Sequence, residues 1–407
     1  MKYQSASLNI AMLSIHSSPV GELGTRDTGG MSVYIRELAK TLGGWGHRVD
    51  VFTGRSDGKK GPVFDAYDNV RIIHLAGGAN GNVEKSSLYE HLPQFYLDLE
   101  SFRNREKIKY DIIHSHYWLS GLLGSQARLS WGACLIHTFH TIGAVKNHVC
   151  PGENESELRL SEEERLGKLC DLIIVPTEKE RDYLTRFYET PRDKVRVIPC
   201  GVNLERFKPV DKIAARQELG MRLEDRVVLY VGRQAPVKGL DRLLEAFSHL
   251  THHPHLRLVL VGGDEEASPM YQQLRSGATA LNIQKNLVFT GRVDQKVLPL
   301  YYSAADVLAV PSYYESFGLV ALEALACGTP VVTTPVGDMA NIIKDGVTGY
   351  VALDPAPGSF AECIETALTT QETNGFSPGR VRASVTEFAW EVMASKVLEA
   401  YRAVVHR

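Results

Sequence analysis

Short apolar runs rich in Ile and Val recur through the first half of the chain, at Leu8–Ser14, Arg48–Phe52, Val70–Leu75, Asp111–His114, Ala133–Phe139, Asp171–Pro176 and Lys194–Pro199. Stretches with helical spacing separate them. Within each run the apolar character is continuous rather than alternating, as expected of strands covered by helices on both faces. The same rhythm restarts at Arg226–Gly232 and continues through Leu256–Gly262, Asn286–Gly291, Asp306–Val310 and Pro330–Thr333. Between the two series lies VIPCGVNLERFKPV, ending at Val210 and punctuated by Pro199, Gly201 and Pro209, which makes it the best linker. The pattern predicts an α/β protein of two doubly wound, Rossmann-like domains, residues 1–205 and 206–385, facing each other across a cleft. From about Thr386, Trp390, Met393, Ala394, Val397, Tyr401, Val404 and Val405 fall at amphipathic-helix spacing. That stripe needs a surface, and segment 386–407 is expected to pack back on the first domain.

Composition narrows the partners more than the fold. A length of 407 residues exceeds what one core usually organises, in keeping with two domains. With 45 Lys and Arg against 48 Asp and Glu, no global field attracts nucleic acid, which is not an expected partner. Cys134, Cys150, Cys170, Cys200, Cys327 and Cys363 are scattered without a CxxC pair, which suits reduced thiols in a cytoplasmic protein. No apolar run approaches the ~18 residues of a membrane span, and Leu8–Ile15 reads as a strand, not a signal peptide. Arg103, Arg105, Lys107 and Lys109 form a basic segment that suits a solvated helix end, with peripheral contact at the inner membrane face as the alternative. His252, His253 and His255 flank Pro254 in a helix-to-strand turn; no acidic or thiol ligand stands near them in sequence, so a surface turn is expected there rather than a metal site.

Ligands of open α/β sheets bind beyond the carboxyl ends of the strands, and that rule sorts the remaining motifs. In the second half the strand ending at Gly232 runs into RQAPVKG, so Arg233 and Lys238 leave a carboxyl edge. Two fixed cations there can neutralise a diphosphate, although surface charges on a loop would read the same. In ESFGLVALE, Glu315 and Glu323 stand eight residues apart across a Gly-bearing turn into an apolar helix. On one helix they would lie about 12 Å apart along the axis and within roughly 80° of one face. One carboxylate could hold hexose hydroxyls and the other ribose hydroxyls, with helix-terminal amides facing the phosphates between them; solvated helix charges are the plain alternative. Strand NLVFTG ends in Arg292 and Val293, where backbone groups could meet a base edge.

The first half opens with a strand and a Gly-rich loop that enters a helix near Met31. Gly29 and Gly30 would let its backbone approach a phosphate or a sugar, while a plain loop fits equally. Two histidine-rich strand ends follow, HSHYW at 114–118 and HTFHT at 137–141. His137 and His140 cannot share a strand face unless the strand has ended, which leaves His140 as a cleft candidate beside a purely structural reading.

Together the Glu315 and Glu323 pair, the GRQAPVKG loop, Gly29–Gly30 and HTFHT resemble the retaining glycosyltransferases of family 4, which have the GT-B fold, over nearly the whole chain. TGGMSVYIRELA, DIIHSHYWLSG and LIHTFHTIGAVKN look nearest to that family's sucrose-phosphate synthase, sucrose synthase and mycothiol-pathway inositol-phosphate branches. The resemblance implies a hexosyltransferase of carbohydrate or polysaccharide biosynthesis that uses a UDP-hexose, UDP-glucose first and UDP-N-acetylglucosamine as the alternative. A UDP-sugar epimerase of the same fold and a non-catalytic nucleotide-sugar binder are the rival readings. No obligatory cofactor and no metal is expected, because two cations and helix-terminal amides can face the diphosphate and no Asp-x-Asp motif sits on a strand end.

By the same resemblance Arg233 and Lys238 bind the diphosphate, Glu323 the ribose and Glu315 the hexose, assisted by amides of Phe317, Gly318 and Leu319. Gly29, Gly30 and Val293 complete the donor site, and His140 lies beside the reacting carbon. Lys85, Tyr117, Thr141 and Arg159 fall where the inositol-phosphate branch clasps its acceptor phosphate. Ser32 replaces an asparagine that reaches the acceptor in that branch, and 147–155 is only loosely similar. The acceptor is therefore left as a sugar, a sugar phosphate or a polysaccharide precursor.

Overall fold

A computed structural model describes residues 7–21, 28–54, 61–77, 87–149, 154–263, 268–373 and 375–406. The first sheet comprises β1 (Asn9–Ser14), β2 (Arg48–Gly54), β3 (Val63–Tyr67), β4 (Val70–Leu75), β5 (Ile112–His116), β6 (Cys134–Thr138), β7 (Leu172–Val175) and β8 (Val195–Val197), in the order β3-β4-β2-β1-β5-β6-β7-β8. The second comprises β9 (Arg226–Val231), β10 (Leu256–Val261), β11 (Leu287–Gly291), β12 (Val307–Val310), β13 (Val331–Thr333) and β14 (Gly349–Val351), in the order β11-β10-β9-β12-β13-β14. The strand pairs are parallel apart from β3 with β4. Strands β3 and β14 escape the apolar pattern because β3 is a half-exposed edge and β14 has Gly349 and Tyr350 before its single aliphatic residue, Val351.

The continuous apolar runs have a direct cause. Along β1, Ile10 and Met12 enter one core layer and Ala11 and Leu13 the other, so both faces of the sheet are covered. In each sheet the strand order reverses once near the middle, between β1 and β5 and between β9 and β12. The crevices at the carboxyl ends of those strands are where ligands of such sheets lodge.

Helix Trp390–Val405 buries Trp390, Met393, Ala394, Val397, Leu398, Tyr401 and Val404 in the same layer as Ile10, Tyr34 and Leu38 of the first sheet and its first helix. Each large side chain among these contributes about 1.5–3 kcal/mol relative to exposure. Tyr401 adds a buried hydrogen bond between its hydroxyl and His114 Nδ1 at 2.6 Å. The chain thus crosses between sheets twice, and the crossings touch: Val202 N donates to Phe388 O at 2.8 Å. A Cβ on Gly201 would stand 2.6 Å from Trp390 Cδ2, so only glycine lets the two strands of this joint approach so closely.

Among the described residues no helix is long and apolar enough to cross a membrane. Cys134, Cys170, Cys200, Cys327 and Cys363 are free thiols, while Cys150 lies outside the described residues. In the basic segment Arg103 pairs with Glu100 at 3.0 Å and lies over the Trp131 ring, and Arg105 lies over Phe102. The histidine turn does acquire an acidic neighbour, contrary to expectation, because folding brings Glu365 Oε1 to 3.5 Å from His252 Nε2 and 3.3 Å from His253 Nε2. Arg226, which can only donate, bonds His253 Nδ1 at 2.8 Å, and the ligand atoms of His252, His253 and Glu365 lie within 4.8 Å of one another.

Candidate active site

The groups expected on the donor side leave β9 and β12, the two strands flanking the reversal of the second sheet. Arg233 follows β9 after Gly232, and its carbonyl accepts from the Tyr230 hydroxyl at 2.7 Å. Lys238 ends a single 3-10 turn, Pro236–Lys238, and its Nζ lies 2.7 Å from Glu315 Oε1. Ser312 Oγ donates to the same oxygen at 2.7 Å. Glu315 stands in the loop after β12, not on the helix, which begins only at Leu319. This corrects the helical spacing expected for the two carboxylates. The physical reason is Gly318, whose φ of +111° turns the chain before the helix starts; a Cβ there would meet Met339 Cε at 2.6 Å. Phe317 is buried, and residues 317–319 lie at the helix start.

Glu323, on helix Leu319–Ala326, is 7% exposed and accepts from the Tyr302 hydroxyl at 2.8 Å. Burial pushes its carboxyl up to about 7, against the pull of Tyr302, Gln295, Arg36 and Arg206. Gln295 Oε1 in turn accepts from Arg36 of the first domain and from Arg206 of the linker, both at 2.5 Å. Sequence reasoning missed Gln295, Arg36 and Arg206, since nothing in their spacing connects them. Val293 packs, partly buried, against the core of the second domain.

Across the cleft, helix Gly30–Gly44 starts without a side-chain cap. A Cβ at Gly29 would lie 3.8 Å from Arg233 Nε, and one at Gly30 would lie 3.4 Å from Leu319 Cδ1. The glycine loop of one domain therefore faces the cation and helix start of the other. β6 ends at Thr138, so His140 is on a loop, in the left-handed region at φ +61°. Its Nε2 pairs with His116 Nδ1 at 2.9 Å, and burial, helped by His137, pushes the imidazole down to about 3. His137 itself is fully buried on the strand, its Nδ1 2.9 Å from Ser115 Oγ.

Three acceptor-side candidates converge. The Arg159 guanidinium lies 4.9 Å over the Tyr117 ring, and its Nη2 donates to Thr141 O at 3.1 Å and Thr141 Oγ1 at 3.0 Å. Two carboxylates balance it, Glu163 Oε1 and Glu155 Oε1, each at 2.7 Å, and Lys146 Nζ reaches the same Glu155 oxygen at 2.5 Å. Burial opposes the Arg159 charge, but Glu163, Tyr117 and Glu155 outweigh it and raise its pKa further. Glu155, Glu163 and Lys146 went unnoticed in the sequence; the Glu155, Arg159 and Glu163 spacing of four was the available signal. Lys85 lies outside the described residues. Ser32 is fully buried, with its Oγ 2.6 Å from Ser17 Oγ.

Two parallel-sheet domains that set a lysine–glutamate pair and a helix start against a glycine loop define a glycosyltransferase of the GT-B type. Residues 28–206 match the family described as Glycosyltransferase Family 4, and residues 211–375 match Glycosyl transferases group 1. The chain is 34% identical to a D-inositol 3-phosphate glycosyltransferase of Xylanimonas cellulosilytica, over 98% of this chain and 97% of that one. It is 37% identical to the enzyme of the same name from Saccharomonospora viridis, over 97% of this chain and 93% of that one. The solved sucrose-phosphate synthase of Thermosynechococcus elongatus superposes with a TM-score of 0.87 at 33% identity, covering 98% of this chain and 99% of the other. The protein belongs to this glycosyltransferase family, group 1 and family 4 describing its two halves.

Proposed function

We propose that the protein transfers a hexosyl group from a UDP-hexose, UDP-glucose first, to a phosphorylated hydroxyl compound, with retention at the anomeric carbon. The observation that carries the donor half is the Lys238–Glu315 pair at the reversal of the second sheet, opposite Gly29–Gly30. In this reading Glu315 accepts hydrogen bonds from the hexose hydroxyls and Lys238 and Arg233 stabilise the charge that grows on the diphosphate. Glu323 accepts from the ribose. The acceptor oxygen bonds to the anomeric carbon as the carbon–phosphate oxygen bond breaks on the same face; the acceptor proton passes to the departing phosphate and UDP leaves. His140, held neutral, offers a hydrogen bond beside the hexose without adding charge. No obligatory cofactor is part of this assignment.

For the acceptor, the support is the Tyr117, Thr141 and Arg159 group with Lys146 beside it, together with relatives whose names specify a phosphorylated acceptor. A phosphate would take the place of Glu155 between Lys146 and Arg159. This favours a sugar or polyol phosphate over a polysaccharide precursor. UDP release from UDP-glucose, UDP-N-acetylglucosamine and ADP-glucose, each with inositol phosphate, fructose 6-phosphate and the dephosphorylated acceptors, tests both halves. Release that needs no acceptor phosphate would refute the acceptor reading. Conversion of a UDP-sugar to a new hexosamine without any acceptor would mark an epimerase instead.

A further inference from the structure

Thr177 and Glu180 spell the Thr-x-x-Glu pattern of a capping box at the start of helix Glu178–Tyr188. Half of the box forms: Thr177 Oγ1 accepts from Glu180 N at 3.0 Å. The other half is diverted. The Glu180 carboxylate accepts from the Tyr314 hydroxyl at 2.7 Å, 134 positions further along the chain and in the other domain. Both partners are buried, Glu180 at 3% and Tyr314 at 8% exposure. The Tyr314 ring belongs to the core layer of the first domain, with Ile142, Val145 and Leu184. Burial pushes the Glu180 carboxyl up to about 7, while the hydroxyls of Tyr314 and Ser316 favour its ionised form. Tyr314 and Ser316 are the two neighbours of Glu315 in the chain, so the buried carboxylate of one domain addresses both flanks of the residue assigned to the donor hexose.

A cavity of ≈ 260 Å³ runs along the Glu315 loop between the domains, lined among others by Thr177, Lys179, Tyr183, Arg242, Glu315 and Val336. Within the second domain Lys238 and Ser312 hold the Glu315 carboxylate, while the Tyr314 hydroxyl and ring tie the same loop to the first domain.

We propose that Glu180 is a positioning residue: through Tyr314 it pins the loop 312–318 to the acceptor-side domain, so that Glu315 reaches its place at the donor hexose only when the two domains are together. This rests on the assignment of Glu315 to the hexose given above. The nucleotide end, held by Arg233 and Glu323, lies outside the tether.

The test uses the full chain with Tyr314→Phe, Glu180→Ala and Glu180→Gln, reading kcat and KM with UDP-glucose and the best acceptor, and the Kd of UDP alone. Tyr314→Phe and Glu180→Ala are expected to lower kcat roughly 10- to 100-fold, the scale of a small misplacement of a reacting group, with the Kd of UDP changed less than about twofold. Glu180→Gln keeps an oxygen that accepts from Tyr314 and should hold kcat within about threefold of the parent. Unchanged kcat in Tyr314→Phe and Glu180→Ala would overturn the proposal, and so would UDP affinity and kcat falling together in all three, which marks general damage. Glu315→Gln, run alongside, separates the two levels. If it leaves kcat intact the site assignment fails; if it abolishes turnover while Tyr314→Phe does not, only the tether fails.

Discussion

Replacing Glu323 by Gln should make the protein more stable in mild alkali and a poorer binder of its donor, and the two effects come from the same carboxylate. Burial carries that carboxyl from its ordinary 4.5 to about 7. Because the folded value is the higher one, the unfolded chain gives up its proton first as the pH rises. The stability that the protonated group contributes is complete below about 4.5 and is lost as pH rises through about 7. The difference corresponds to something on the order of 3 kcal/mol at pH 8. Glutamine keeps the shape and still accepts from Tyr302, so the variant should match the parent at pH 4.5 and exceed it by up to about 3 kcal/mol at pH 8. Glu180 has a similarly raised value and imposes its own slope on both proteins, so the quantity to read is the difference between them. Urea unfolding of parent and variant at pH 4.5, 6 and 8 measures it. Calorimetric titration with UDP at pH 8 should show the variant weaker by roughly 10- to 100-fold, the worth of hydrogen bonds to a charged acceptor. A stability difference that does not change with pH, or equal affinity for UDP, would refute the reasoning.

Lys238→Ala should lower kcat by roughly two to three orders of magnitude while leaving the unfolding midpoint close to the parent's, because Ser312 still bonds Glu315; unaltered turnover would remove Lys238 from the diphosphate. Gly318→Ala forces a side chain into a left-handed backbone against the buried Met339 and should cost about 2–4 kcal/mol of stability, read by urea unfolding. Glu155→Gln removes the carboxylate that competes for Lys146 and Arg159, and should lower KM for a phosphorylated acceptor a few-fold without improving its dephosphorylated analogue. With His140 held neutral by burial, its imidazole should add no inflection to the pH–rate profile between about 5 and 8, and proton NMR titration of the ring should show no charging over that range.

Much of the fold was legible because the forces that specify it are local or periodic. Strands buried on both faces need unbroken apolar runs, and the runs at Leu8–Ser14 and Arg226–Gly232 mark β1 and β9 to within a residue. The half-exposed β3 carries no such run. Carboxyl-edge position likewise singled out Arg233 and Lys238, which follow β9, whereas Glu315 was singled out by the ESFGLVALE spacing. Local reasoning failed where a helix was assumed through Gly318.

The order of apolar and polar residues was enough to establish two parallel-sheet domains, their joint near Gly201, the docking stripe of the last helix and the charged groups at the strand ends. Those follow from burial and backbone preference, which act over one strand or one turn. Which charges meet was settled only in three dimensions. Glu155 and Glu163 around Arg159, Gln295 between Arg36 and Arg206, and Glu180 on Tyr314 are pairings between elements brought together by packing, and an ion pair or hydrogen bond of a few ångströms leaves no periodic trace in a chain that reaches it from 134 positions away.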